Sequence, residues 1–580
     1  MKAKTIFSVL FFIIVIGLIF HSQFSFCQTD ESFYISMTHR LSQGDNLILD
    51  EWHPTQFYSP LLLPFYNLFS LVMSSNQGII LYFRVLTIFF SGFVCWFFFC
   101  EMQRFYNAFF SFCAAVILLL FTRANIAGAS YYTLCGTFVI LAYTILFKSE
   151  REVKPLNFTL RILAGIMISF SVLCQPYLAI FVILAGIVGF VKKGTRLRTL
   201  QICSGILIAA GCYILFFLSK GTINEYLSGI GYVLSDPDHQ FSFISWMYTM
   251  VKSHFNANSV IVICLIIYLA GYVVWNYKKQ RILPTSFFYF QCLTLCLSFI
   301  KPLIKIHNVP CYSYLGSFAI ASFPFFLYLT LQKQSSHSTV LYYIGILLAM
   351  SYSLGSNTGY DAMLIGYHIS TTAMILEIST LQALILKNQN TKNKKPIKQI
   401  VLKNISIVLC CILMLFTWVQ RTFGFYRDAP IGQMTERITQ GPAAGLLTTK
   451  QHAEEYNSIY NTIINQRNTS DNENTKLICS KLIPWVYLCS DLKCGAPSTW
   501  AAPISSQVLI DYIDIHNPCS MYVVLFTETV GSYDSCYFNN HHERHNVNSQ
   551  IFDGDFYERI QKEGKIIYKD KQMTLYYLNE

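Results

Sequence analysis

Two adjacent carboxylates, Asp30 and Glu31, follow the first apolar run of the chain by about eight residues, and Asp45, Asp50, Glu51 and His53 come soon after. A carboxylate or imidazole within hydrogen-bond reach of a hydroxyl can take its proton, which is general-base chemistry. Isolated cations stand at the edges of other apolar runs: Arg84 in YFRVLTIFFSGF, Arg123 in FTRANIAGASYYTL, Lys301 and Lys305 in KPLIKIHN. Such a residue either anchors the membrane interface by snorkelling or meets an anion such as a phosphate. The stretch GSNTGYD adds Asn357 and Asp361, which suit either a plain turn or contact with polar head groups and sugars. NNHHERHN gathers three histidines, but their spacing fits no common zinc site, so no metal is expected. No Gly-rich phosphate loop is evident, which argues against a nucleotide-sugar donor, and no cofactor is expected.

The elements that must position these residues are set by lipid. The 580 residues are 53% hydrophobic and only 13% charged, whereas a soluble domain carries about 25% charged residues. Thirteen runs near spanning length recur, at 5–22, 78–100, 107–122, 130–148, 160–174, 175–191, 198–218, 258–276, 285–300, 311–331, 339–356, 363–386 and 399–418. The pair 160–191 is broken at Gln175-Pro176 and reads as two short helices or a re-entrant hairpin. MKAKTIFSVLFFIIVIGLIF is followed by no small-x-small cleavage site, so it is expected to remain as the first helix. SPLLLPFYNLFSLVM (59–73) is apolar but too short to span, and fits a helix lying in the interface beside the acidic loop 23–57.

Beyond residue 418 the composition changes. The segment 419–580 has 14 Lys/Arg, 18 Asp/Glu and no spanning run. The chain therefore divides into a polytopic all-α membrane domain, 1–418, and a small soluble α/β domain, 419–580. In the latter KLICSK, PWVYLC, SMYVVLF, GKIIYK and MTLYYL read as strands, SSQVLIDYIDIH and DFYERIQKEG as helices. The domain holds five cysteines (479, 489, 494, 519 and 536), so one or two disulfides are expected if it faces an oxidising compartment.

With the N-terminus in the cytoplasm, 21 basic residues fall on the cytoplasmic side and six in the opposite loops. The acidic loop and the C-terminal domain then share the outer side. The net charge of +11 reflects this topology, and no nucleic-acid partner is expected.

The order of the motifs resembles the polytopic GT-C glycosyltransferases, the group of protein O-mannosyltransferases, the lipid A aminoarabinose transferase and bacterial lipopolysaccharide sugar transferases. TDESFY resembles the acidic opening of the family's first outer loop, MTHRLSQGD its A-x-x-l-x-x-G stretch, and WHPTQFYSPLLL its HPPLYYLL element. YFRVLTIFFSGF resembles its second-helix start and FTRANIAGASYYTL its sR-x-arpYaL pattern, with Arg123 in register. SVLCQPYLAIFVIL is similar to its K-P hairpin. Thr55 departs from the second Pro of HPP, Gln175 from the usual Lys, and the second outer loop lacks a carboxylate that many relatives have.

The resemblance implies a GT-C-like fold of about 13 spans. It implies a sugar moved from a polyprenyl-phosphate donor to a hydroxyl of a lipid, glycan or protein acceptor on the outer side. Asp30 is then the expected base and Glu31 the next candidate; Arg123, Arg84, Lys301 and Lys305 are candidates for the phosphate, and His53, Asn357 and Asp361 for sugar or head group. A transporter or flippase of envelope lipids or glycans, a polysaccharide polymerase and a non-catalytic scaffold are the alternatives.

Overall fold

The computed structural model describes residues 2–234, 242–277, 284–304, 312–334, 336–355, 359–388, 395–466, 475–500, 506–527, 530, 533–534, 544–545 and 554–579. Its first half is helical: α1 (Lys2–His21), α2 (Asp30–Ser42), α3 (Ser59–Val72), α4 (Ile79–Met102), α5 (Ala108–Leu120), α6 (Tyr131–Ser149), α7 (Leu156–Cys174) and α8 (Leu178–Val191). The bundle continues with α9 (Arg196–Leu218), α10 (Ile223–Leu234), α11 (Phe243–Tyr277), α12 (Pro284–Ile304), α13 (Ser313–Leu331), α14 (His337–Leu354), α15 (Tyr360–Asn388) and α16 (Lys395–Phe423).

Every one of the thirteen apolar runs is helical. Among the described residues, eight helices are long and apolar enough to cross a membrane, or nine if α11, bent by 100° near Asn258, counts as one span. The count of thirteen crossings is thus not reached by length alone. With 13 and 14 residues, α5 and α8 rise about 20 Å at 1.5 Å per residue, short of a ~30 Å hydrocarbon core. At Gln175-Pro176 the chain breaks into two helices, α7 of spanning length and α8 shorter.

The centre of the bundle is α15, packed by α5, α13 and α14. Glycine permits the closest approaches. A Cβ on Gly366 would lie 2.1 Å from the Gly345 carbonyl, so α14 and α15 touch through backbone, and Gly165 and Gly205 do the same for α7 and α9. In lipid, where helices gain nothing by hiding apolar surface from one another, such close packing supplies the association.

The C-terminal domain begins with a short hairpin, β1 (Glu436–Arg437) and β2 (Leu447–Thr448), then α17 (Lys450–Gln466). The strands β3 (Thr475–Cys479), β4 (Lys493–Cys494) and β5 (Ser520–Phe526) follow, with α18 (Ser506–His516) before β5. After a second short pair, β6 (Tyr533–Asp534) and β7 (Arg544–His545), come α19 (Asp555–Glu563), β8 (Lys565–Lys569) and β9 (Met573–Asn579). One mixed sheet has the order β4-β3-β5-β9-β8, with β3 parallel to β4 and β5 and the pairs β5–β9 and β9–β8 antiparallel.

One expectation is corrected here. PWVYLC is a 3-10 turn, Pro484–Leu488, not a strand. Pro484 fixes a helical φ and has no N–H for a ladder, and all five residues are buried, packed under α2. Cys479, Cys489 and Cys494 are unbridged; they serve as small apolar side chains in the core that runs unbroken from the bundle into the sheet. Cys536 lies outside the described residues, as does most of NNHHERHN.

Candidate functional site

The acidic loop is built around a helix. Thr29 precedes α2, and Asp30 and Glu31 occupy its first turn, where negative charge faces the unpaired N–H groups. Almost all of α2 is buried, polar residues included, so each charge in the loop has a partner.

Glu31 is clamped. Arg84, in the second turn of α4, donates Nε to Oε1 at 2.6 Å and Nη2 to Oε2 at 2.5 Å. Its remaining N–H groups reach the carbonyls of Ser22, Phe24 and Ser25. The loop before α6 passes directly over the carboxylate: a Cβ on Gly128 would sit 2.9 Å from Oε1, so only glycine fits.

Asp30 is held differently. Its Oδ2 accepts from the Thr29 hydroxyl at 2.9 Å and from Nη1 of Arg427 at 3.1 Å. Arg427 follows α16, and its guanidinium lies against the Tyr426 ring at 4.9 Å. Beside it, Asp428 accepts from the Phe26 amide at 2.7 Å and from Thr448, and its Oδ1 is 3.0 Å from His452 Nδ1. The linker is thereby pinned both to the segment that follows α1 and to the start of the C-terminal domain.

On the facing side, Arg123 donates to Asp361 at 3.0 Å and stacks over Tyr132 at 4.1 Å. Tyrosines close the space between. Tyr34 is 5.5 Å and Tyr58 5.8 Å from Tyr131, which lies on Tyr132 at 4.0 Å. The charges of Asp30 and Arg123 both reach the phenols of Tyr34 and Tyr426, which burial holds well above the usual tyrosine range. Beneath Arg123, a cavity of about 40 Å³ extends between α4, α5, α6 and α15, lined among others by Val94, Leu118, Tyr132 and His368. The arrangement offers a proton acceptor paired with one guanidinium, and a second guanidinium at the head of a cavity that runs between the helices.

The other loop carboxylates hold the C-terminal domain. Arg40 bonds Asp45 at 2.7 Å, Glu51 at 2.9 Å, the Ala496 carbonyl and the Tyr512 hydroxyl. Asp50 accepts from the Asn46 amide at 2.6 Å, and its Oδ1 lies 3.0 Å from His516 Nε2. Directly before Arg40, His39 Nδ1 is 2.6 Å from the Tyr66 hydroxyl, and burial lowers the imidazole to about 4. The native state therefore resists protonation that the unfolded chain accepts near 6.5. Stability from this residue is complete above pH 6.5 and is lost as pH falls toward 4, a change of about 3 kcal/mol. Replacing His39 by Gln is expected to flatten the fall in unfolding temperature between pH 6.5 and 4.

Of the residues singled out in the sequence, Asp30, Glu31 and Arg84 meet at the start of α2, and Arg123 pairs with Asp361. The His53 ring packs edge-on to Phe33 at 4.9 Å, and its Nδ1 lies 2.8 Å from the Thr55 hydroxyl. Lys301 is in the last turn of α12; Lys305 and Asn357 lie outside the described residues. Sequence reading missed Arg427, Arg40 and the tyrosines. The one local signal for the first was the charged pair Arg427-Asp428 directly after the last apolar run.

A helical membrane bundle whose acidic second helix is roofed by a C-terminal mixed-sheet domain defines a polytopic GT-C-type fold. No protein-family model and no curated protein matches the chain. Among solved structures, ArnT from Cupriavidus metallidurans in the apo state is similar at 10% identity with a TM-score of 0.50, over 99% of this chain and 98% of that one. The same protein bound to undecaprenyl phosphate gives a TM-score of 0.47 at 9% identity, over 98% and 97%. An oligosaccharyltransferase from Archaeoglobus fulgidus, tethered with an acceptor peptide, gives 0.47 at 12% identity, over 89% of this chain and 69% of that one. The apo ArnT likeness runs through the bundle and the C-terminal domain alike, and it is the fold that the two chains share.

Proposed function

We propose that this protein is an integral membrane glycosyltransferase that moves a sugar from a polyprenyl-phosphate donor to a hydroxyl acceptor. The observations that carry this reading are the pairing of Asp30 with Arg427 and the stacking of Arg123 on Tyr132 at the head of an intramembrane cavity. The GT-C fold, found also in an ArnT crystallised with undecaprenyl phosphate, supports it. In this reading the isoprenoid lies among the helices and the phosphate meets Arg123, which Asp361 and Tyr132 hold in place. The acceptor oxygen attacks the anomeric carbon, its proton passes to Asp30, and the carbon–oxygen bond to phosphate breaks with the electron pair staying on the phosphate. Phosphate is already a good leaving group, so no second acid is needed, and preformed cations stabilise the charge that develops. Glu31 shapes the site through Arg84. His53 and Asn357 are assigned to sugar or head-group contacts, and Lys301 and Lys305 to additional positive charge. The basic-residue bias puts this chemistry on the outer face, with the N-terminus inside.

The test is the binding of undecaprenyl phosphate to the purified full chain. Arg123→Ala is expected to weaken it by roughly 10–100-fold, the worth of a charge-assisted contact. Arg123→Lys recovers only part, because the forked geometry is lost. Unchanged affinity in Arg123→Ala overturns the Arg123 assignment; a wild-type chain that does not bind overturns the donor class.

A further inference from the structure

Adjacent carboxylates at the start of α2 are paired with guanidiniums in opposite ways. The Glu31–Arg84 pair is bidentate and sealed, with side chains 1% and 3% exposed. The Asp30–Arg427 pair has one bond at 3.1 Å, from an Nη1 that also donates to the Thr29 hydroxyl at 2.6 Å, with side chains 11% and 22% exposed. The first is a fixture. The second is the geometry of a contact that can be exchanged for a better one.

Three features make Arg427 the mobile partner. It stands in a linker, not on a helix, at a left-handed φ of 53°, a conformation that non-glycine residues adopt sparingly. Its neighbour Asp428 is fastened through Phe26, Thr448 and His452, so the side chain pivots on an anchored backbone. Its guanidinium faces the same phenol, Tyr426, whose surroundings also feel Arg123 and Asp30.

Resting on the glycosyl-transfer reading above, we propose that Arg427 is a shuttle cation. It holds Asp30 while the donor site is empty, and moves to the phosphate as the sugar–phosphate bond breaks. In a phosphodiester donor the phosphate carries one negative charge. When the anomeric carbon–oxygen bond breaks, the electron pair stays on that oxygen and the phosphate monoester gains a second. That added charge outbids the carboxylate for the guanidinium. Asp30 Oδ2, still bonded by Thr29, then has a lone pair free for the proton of the attacking hydroxyl. Proton and phosphate charge are so linked through one side chain, and the soluble domain, which anchors the pivot, takes part in every turnover.

Undecaprenyl phosphate, the product-like lipid, tests this without knowledge of the sugar. Its affinity is measured for the full chain in nanodiscs as wild type, Arg427→Ala, Arg427→Lys, Asp30→Asn and the double variant Asp30→Asn with Arg427→Ala. The expected results are a roughly 10-fold loss in Arg427→Ala, partial recovery in Arg427→Lys, and a several-fold gain in Asp30→Asn. That gain must shrink in the double variant, because the competition being relieved is for Arg427. Equal gains from Asp30→Asn with and without Arg427, or undiminished binding by Arg427→Ala, overturn the shuttle. If Arg123→Ala weakens binding while Arg427→Ala does not, the glycosyl-transfer reading stands and the shuttle alone fails. If the wild type does not bind the lipid, that underlying reading fails instead.

Discussion

Asp30→Asn is expected to lower sugar transfer by roughly 10²–10⁴-fold, the usual loss on removing a general base, with the protein level in membranes unchanged. The side chain keeps its shape, and asparagine can still accept from Thr29 and Arg427 through its carbonyl oxygen. The ability to take a proton is lost, and with the negative charge gone the hold on Arg427 weakens. Asp45→Asn, in a residue that serves Arg40 at the roof interface, should leave the rate per folded molecule near that of wild type. The measurement is transfer in membranes normalised to folded protein. Near-normal transfer by Asp30→Asn removes this residue from the chemistry, and near-normal transfer by Glu31→Gln as well favours a transporter or a scaffold.

The second large effect concerns stability. Arg84→Ala leaves the Glu31 carboxylate buried without its cation, and strands the carbonyls of Ser22, Phe24 and Ser25 that the same guanidinium satisfies. Breaking a buried pair from one side typically costs about 3–5 kcal/mol, a large share of the ~5–15 kcal/mol that holds a domain together. Arg84→Ala is therefore expected to reduce sharply the yield of monodisperse protein on size exclusion. Adding Glu31→Gln removes the orphaned charge and should restore part of that yield. A normal, thermally unchanged Arg84→Ala variant would mean that the clamp is not what holds the start of α2.

The legible parts of the sequence were those that speak locally. A run of apolar residues announces a helix in lipid without help from distant residues, so all thirteen runs are helical. Asp30 and Arg123 stood out because a charge beside an apolar run is rare. What stayed hidden depends on partners far along the chain. Asp30 and Arg427 are 397 residues apart, and Arg40 and Tyr512 are 472 apart; nothing near either member of a pair announces the other. The helix α2 does not announce itself in the sequence, because its polar residues face buried partners on every side, which erases the apolar stripe that marks a surface helix. PWVYLC misled for a related reason: a short apolar run has no period that tells strand from turn.

The Arg40 cluster also fixes an order of events during synthesis. Arg40 and Asp50 emerge early, but Tyr512 and His516, which complete their contacts, come 472 and 466 residues later. At ~5–20 residues per second a ribosome needs roughly 20–90 s to cover that length. For that interval the loop carries charges whose final shell has not yet been made, and the site cannot close. A nascent chain released before residue 516 would insert its helices yet keep this corner unfinished. The last stretch of translation thus acts as a checkpoint on the first.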